Sequence, residues 1–191
     1  MDTTTIVIIV IAALVLLVVG GFLGLVFARR QRSKKLQERF GPEYDRMVKQ
    51  LGDKDEAESQ LVARVEHVKS LDIQPLSPEE KERFAHEWRQ IQAMFVDRPG
   101  EAIQDANRLV EEVMAAKGYP VEDYEKRIED LSVDYPELIS NYRRVHKVVV
   151  NGGQDRLSTE ELRQAMVHCR ALFEELLGTE VKPSKVEKEK V

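Results

Sequence analysis

The side chains best suited to chemistry are few and dispersed along the chain. Four histidines, His67, His86, His146 and His168, and one cysteine, Cys169, are the only imidazoles and the only thiol in the 191 residues. Imidazole works as an acid, a base or a metal ligand only beside a positioned partner. No two histidines stand four residues apart, the spacing of a helical zinc pair. No Glu is followed three residues later by His, the spacing a di-iron bundle needs. Cys169 falls in an apolar stripe with Leu162, Ala165, Met166, Leu172, Phe173, Leu176 and Leu177. Burial there makes a thiol a small hydrophobe with a raised pKa. His168 is its neighbour in sequence, but adjacent residues on a helix project about 100° apart, so the two are not read as a dyad. A single cysteine also excludes an intramolecular disulfide and a Cys-rich zinc site.

Carboxylates are more plentiful. Glu111-Glu112, Glu129-Asp130 and Glu174-Glu175 are adjacent pairs, the pattern of solvated helix faces. Asn151-Gly152-Gly153 has no strand before it and no Lys-Ser/Thr after it, so it is a weak phosphate-loop signal. No catalytic, cofactor-binding or metal-binding residue is therefore assigned, and the chain is not read as an enzyme. Tyr119, Tyr124, Tyr135 and Tyr142 crowd one segment among prolines and acids. Tyrosine offers apolar area and a polar tip, which suits either a core edge or an interface. Tyr119, Tyr124 and Tyr135 are the first choice for a partner surface, with closure of the core as the competing reading.

The elements that must carry these residues are helical. Apolar residues recur at intervals of three and four throughout, and no useful run alternates. Tyr44, Met47, Val48 and Leu51 mark a short helix after Gly41-Pro42. Leu61, Val62, Val65 and Val68 mark another, starting near Asp53, and residues 72–76 read as a linker. Ser77-Pro78-Glu79-Glu80 is a helix start with a capping box. Phe84, Trp88, Ile91 and Phe95 follow on one stripe, which makes this the expected central helix. A helix lined by Ile103, Ala106, Val110 and Met114 stops at Gly118. A weaker helix is expected over 122–131, then a turn at 132–135 before Pro136. Val148-Val149-Val150 has strand propensity, but the helical spacing before it favours a helix end near Asn151. Ser158 to Glu161 repeats the capping box, and Gly178 ends the last helix. The predicted fold is all-α: an N-terminal transmembrane helix, then an irregular bundle of about six or seven helices.

Ile6 to Phe27 is 22 residues without a charge. As a helix it spans roughly 33 Å, enough for a bilayer core. Asp2 is the one charged residue before it, and Arg29, Arg30, Arg32, Lys34 and Lys35 follow it closely. Positive residues stay on the cytoplasmic side, so the N-terminus is expected outside and the domain inside. A cleaved signal peptide would want a basic start and a shorter apolar stretch. The expected organisation is 1–5 outside, 6–27 in the membrane, 28–35 as a basic juxtamembrane segment, 36–76 as a helical arm, 77–179 as a bundle and 180–191 as a disordered tail. Gly20 and Gly24 stand in GxxxG spacing, a candidate face for a homodimer. The basic cluster also suits anionic lipid.

The chain carries a net charge of −5. Residues 36–191 hold 24 Lys and Arg against 33 Asp and Glu, a net of −9. Such a domain is a poor phosphate-backbone binder, so nucleic acid is disfavoured as a partner.

Arg39-Phe40-Gly41-Pro42-Glu43-Tyr44-Asp45-Arg46, the Trp88 to Pro99 block, Gly118-Tyr119-Pro120 with Leu131-Ser132-Val133-Asp134, and Leu162-Arg163-Gln164-Ala165-Met166 form a pattern. It resembles an uncharacterised bacterial family with a short membrane anchor and a helical domain. The resemblance runs over about 36–177. It implies a bacterial cytoplasmic membrane and supplies no activity, ligand or catalytic residue.

The leading expectation is a membrane-anchored adaptor or scaffold at the inner, cytoplasmic face, whose partners are the bilayer and a neighbouring protein. A second is a small-ligand sensor or enzyme with a helical pocket lined by His146, His168 and Tyr142. A third is an exported domain, if the anchor is cleaved.

Overall fold

A 38-residue helix opens the chain: α1 runs from Thr3 to Phe40 without a break. The computed structural model describes the backbone of residues 3–151 and 158–178, and side chains from Leu16 onward except at 18, 22, 25 and 151. Among the described residues there are eight helices and no strand. The chain forms two compact units, Met1–Leu61 and Val62–Val191.

In the first unit the basic residues expected as a separate segment at 28–35 are part of the α1 cylinder. Nothing in 28–39 breaks a helix, and Arg, Lys, Gln and Leu are good helix formers. Gly41 ends α1, its N–H bonding the Gln37 carbonyl at 2.9 Å. Pro42 then opens α2 (Pro42–Leu51), where its missing N–H costs nothing. Asp53 caps α3 (Lys54–Ser70), accepting from the N–H groups of Asp55 at 2.8 Å and Glu56 at 3.2 Å. Leu36 and Phe40 on α1, Tyr44 and Met47 on α2, and Ala57 and Leu61 on α3 are buried. Their spacings of three and four put each set on one helix face.

The second unit holds the rest of α3 and five further helices: α4 (Pro78–Met94), α5 (Pro99–Lys117), α6 (Tyr124–Asp134), α7 (Pro136–Asn151) and α8 (Thr159–Leu177). Both expected capping boxes form. Ser77 Oγ accepts from Glu80 N–H at 3.2 Å while Glu80 accepts from Ser77 N–H at 2.8 Å. Ser158 and Glu161 repeat the pair with the same distances. Trp88 stacks on Phe173 with ring centroids 4.7 Å apart, which joins α4 to α8. The central helix is α5 rather than α4: it packs on α4, α7 and α8. Alanines at 102 and 106, both fully buried, let those neighbours come close.

Gly118 ends α5 with φ +98°, a conformation that suits glycine. A Cβ there would lie 2.4 Å from the Asp72 backbone oxygen. The 72–76 linker is thus laid against the end of α5, and Gln74 N–H bonds the Lys117 carbonyl at 2.9 Å.

The expected helix at 122–131 is shifted. Asp123 caps α6, accepting from Lys126 N–H at 2.8 Å, so the helix starts at Tyr124 rather than Glu122 and continues through the expected turn to Asp134. Ser132 and Val133 are buried, so packing holds helical residues that local pattern gave to a turn. Only Tyr135 separates α6 from α7. The valines at 148–150 are helical. Gly152-Gly153 and the 180–191 tail lie outside the described residues. Among the described residues no helix is long and apolar enough to cross a membrane. The side chains of residues 6–15, nearly half of the apolar run, are outside that description.

Candidate functional site

The cationic residues after the apolar run meet the start of α3. Arg29, Arg30, Arg32 and Ser33 of α1 line a cleft of about 380 Å³ with Lys54, Asp55, Glu58 and Ser59 of α3. The ten residues of α2 and the turn at 52–53 return the chain so that α3 begins beside this stretch of α1. Lys34 and Lys35 do not line the cleft; both are exposed, and Lys34 lies 3.8 Å from Glu38.

Glu58 is 8% exposed and forms the floor. The Ser33 hydroxyl donates to Glu58 Oε1, and the Tyr44 hydroxyl donates to the same oxygen at 2.7 Å. Lys54 Nζ is 3.7 Å away. Burial opposes the charge on Glu58, but the two hydroxyl donors and the positive fields of Lys54 and Arg32 outweigh it and hold the carboxyl below its usual value. Burial, together with donation to that carboxylate, pushes the Tyr44 hydroxyl up to about 12. The floor is therefore a charged carboxylate already supplied with donors. Four cations and two carboxylates line the cleft, a surplus of positive charge. Guanidinium groups in such a setting bind phosphate or carboxylate through paired N–H donors.

The second unit has a buried polar cluster of another kind. Arg127, 6% exposed, donates to Glu111, to the Val121 carbonyl and to the Tyr142 hydroxyl, the last at 3.1 Å. Asn107 donates to Glu111 at 3.0 Å. The cluster ties α5, α6 and α7 together. Burial pushes the Tyr142 hydroxyl up to about 12 although Arg127 opposes it. Its geometry is that of a buried charge held by three acceptors, with Arg127 Nε and Asn107 Oδ1 left without a hydrogen-bond partner among the described residues.

Two of the three residues named for a ligand pocket come together, Tyr142 and His146 both meeting Tyr124 with ring centroids 6.3 Å and 3.4 Å from it, while His168 stands apart. Tyr142 is buried under Arg127. His146 stacks on Tyr124 at 3.4 Å between ring centroids, and its pKa is lowered by burial and then by Arg127. His168 lines a separate groove of about 370 Å³ with Arg144, Val148, Glu160, Glu161, Gln164 and Ala165. His86 is exposed. Cys169 is fully buried, and burial pushes its thiol up to about 12. Of the three tyrosines named for a partner surface, Tyr119 is buried and donates to Asp134 at 2.7 Å. Tyr124 and Tyr135 are half-buried against the core, so each shows only an edge. Gly20 and Gly24 are exposed, and among the described residues nothing would lie within 4 Å of a Cβ at either.

Sequence reasoning missed the buried charges. Glu129-Asp130 read as a solvated pair, but the two separate: Asp130 is 1% exposed, while Glu129 reaches out to Arg64 at 3.0 Å. Asp130 Oδ1 lies 3.5 Å from His67 Nε2, and burial raises the Asp130 pKa despite His67. The Asp123 cap sets the helix phase that turns Arg127 and Asp130 inward with Leu131. That cap, a Ser/Thr/Asp/Asn residue before a helical stripe, was the signal available. Nothing local marks Glu58 as the partner of Ser33, or Lys54 as a neighbour of the arginines in the cleft.

Among the described residues no group of three or more His, Cys, Asp or Glu side chains is placed to hold a metal ion. No family model, no curated protein and no solved structure matches the chain.

Proposed function

We propose that this protein is a single-pass tether that holds a helical interaction domain at the cytoplasmic face of a bacterial inner membrane. The carrying observation is the lopsided charge around residues 6–27: one acid before them and five cations within the eight residues after them. Two features support the reading. α1 continues from the apolar run into Leu36 and Phe40, which are buried, so the anchor and the first unit share one rigid element. The cationic cleft opens immediately after the apolar run, at the depth of lipid headgroups. A domain so confined meets membrane neighbours at raised effective concentration, which is how a tether acts without chemistry of its own. A protein partner of the second unit would touch the exposed edges of Tyr124 and Tyr135.

The test is carbonate extraction of membranes followed by protease treatment of spheroplasts carrying a C-terminally tagged chain. The tag should stay with the membrane and resist protease added outside. A tag released by carbonate, or digested from outside, refutes the tether. Crosslinking in intact cells should then capture one reproducible membrane-proximal neighbour.

A further inference from the structure

Arg29, Arg30 and Arg32 do more than set orientation if the residues facing them on α3 are considered. We propose that the cleft between α1 and α3 holds the phosphate of one anionic phospholipid headgroup, an inference that rests on the membrane reading of residues 6–27. Four observations converge. The cleft begins two residues after Phe27, so its arginines stand where headgroup phosphates lie. Its volume, about 380 Å³, falls in the range of small-ligand sites, roughly 300–1,000 Å³. Arg29 and Arg30 enter no ion pair among the described residues. Glu58, the more buried of the two acids in the lining, is already met at Oε1 by Ser33, Tyr44 and Lys54.

The lining also speaks to the headgroup. A surplus of two positive charges favours a net anion over a zwitterion. Asp55 and Ser59 add an acceptor and a hydroxyl at the α3 side, which suits a headgroup bearing its own hydroxyls, such as glycerol. The arginines would take the phosphodiester through paired N–H donors, and Lys54 would share its ammonium between Glu58 and the phosphate. Lys54 is the distinguishing residue. It comes from another helix, plays no part in the topology signal, and would be irrelevant to a diffuse attraction of α1 for acidic lipid.

The full chain is reconstituted in nanodiscs of equal phosphatidylglycerol and phosphatidylcholine, and the lipids retained after detergent exchange are counted by native mass spectrometry. One phosphatidylglycerol should remain per chain. Lys54→Ala and Arg30→Ala should each lower the preference for it about tenfold, the loss of one charge-assisted hydrogen bond. Lys35→Ala, an equal charge change outside the cleft, should stay within about twofold. Equal losses in all three variants overturn the site in favour of unspecific attraction. Inorganic phosphate at high millimolar concentration should fail to displace the lipid; displacement would make free phosphate the occupant and overturn the lipid assignment. A chain removed from bilayers by carbonate defeats the tether itself, whereas a chain retained without lipid preference defeats only the cleft. Lys54→Ala leaves Glu58 its two hydroxyl donors, and circular dichroism checks that each variant is folded.

Discussion

Gly118→Ala tests how tightly the 72–76 linker is seated on the end of α5. The new Cβ meets a backbone oxygen, Asp72 O, at 2.4 Å, and the carbon behind it at 3.2 Å. No side-chain rotation relieves that contact, so the linker must move. Three costs add. A non-glycine residue at positive φ costs about 1–2 kcal/mol. Overpacking against a fixed neighbour costs about 1–3 kcal/mol. Moving the linker strains the Gln74 to Lys117 hydrogen bond, worth about 1 kcal/mol. The total is about 3–6 kcal/mol.

Gly178→Ala is the matched control. It has φ +68°, and its nearest neighbour is the flexible end of Lys81 at 3.7 Å, so only the conformational cost of about 1–2 kcal/mol applies. The chain has a single tryptophan, Trp88, stacked on Phe173 in the same unit, so its fluorescence reports unfolding there without interference. At a urea dependence of about 2 kcal/mol/M, a difference of about 2–4 kcal/mol separates the two midpoints by about 1–2 M. Coincident midpoints would mean that the linker is not held against α5, and the contact argument would be wrong.

Two further outcomes follow from buried titratable groups. Asp130 has a raised folded-state pKa and an Oδ2 without a hydrogen-bond partner among the described residues. The native state therefore keeps its proton to higher pH than the unfolded chain, and stability falls as pH rises from the usual carboxylate range through the raised value. Asp130→Asn should stabilise the second unit at pH 7 by about 1–2 kcal/mol, the cost of an incompletely paired buried carboxylate, and the gain should vanish on acidification. Urea titrations at both pH values check this, and a variant less stable than wild type at pH 7 would contradict it. Cys169, fully buried with its thiol up to about 12, should react with a disulfide reagent more than about a hundredfold slower than in urea; fast labelling of the folded chain would show that α8 opens.

What could be read from the sequence follows the range over which each cause acts. Ser77 with Glu80, and Ser158 with Glu161, cap helices through contacts three residues apart, and both were legible. So was Gly118 as a stop, but the backbone oxygen of Asp72 that enforces it was not. The inward stripe of α8 from Leu162 to Leu177 was legible because period alone decides it. α6 was misplaced because Ser132 and Val133 are weak helix formers held helical by burial, which is a tertiary effect. The Arg and Lys cluster was evident as a topology signal. Its meeting with Lys54 and Glu58 was not, because α2 must first turn the chain back, and no local pattern records where a returning helix lands.

The same face-counting bears on α1. Arg29, Ser33, Leu36 and Phe40 fall within about 60° of one another at 100° per residue; this is the face that carries the Glu58 contact and the buried side chains. Gly20 and Gly24 lie about 150–170° from the centre of that face. A second helix packed on the glycines would therefore approach α1 from the side opposite the cleft. Gly24→Leu adds bulk where none of the described residues lies within 4 Å, so it leaves the monomer's packing intact and obstructs only close helix approach. The expected result is loss of any crosslinked dimer in membranes with the lipid preference set by Arg30 and Lys54 unchanged. If the substitution abolished both, the two faces would be coupled, and the rigid, unbroken α1 on which the tether depends would be the part of the reasoning to give up.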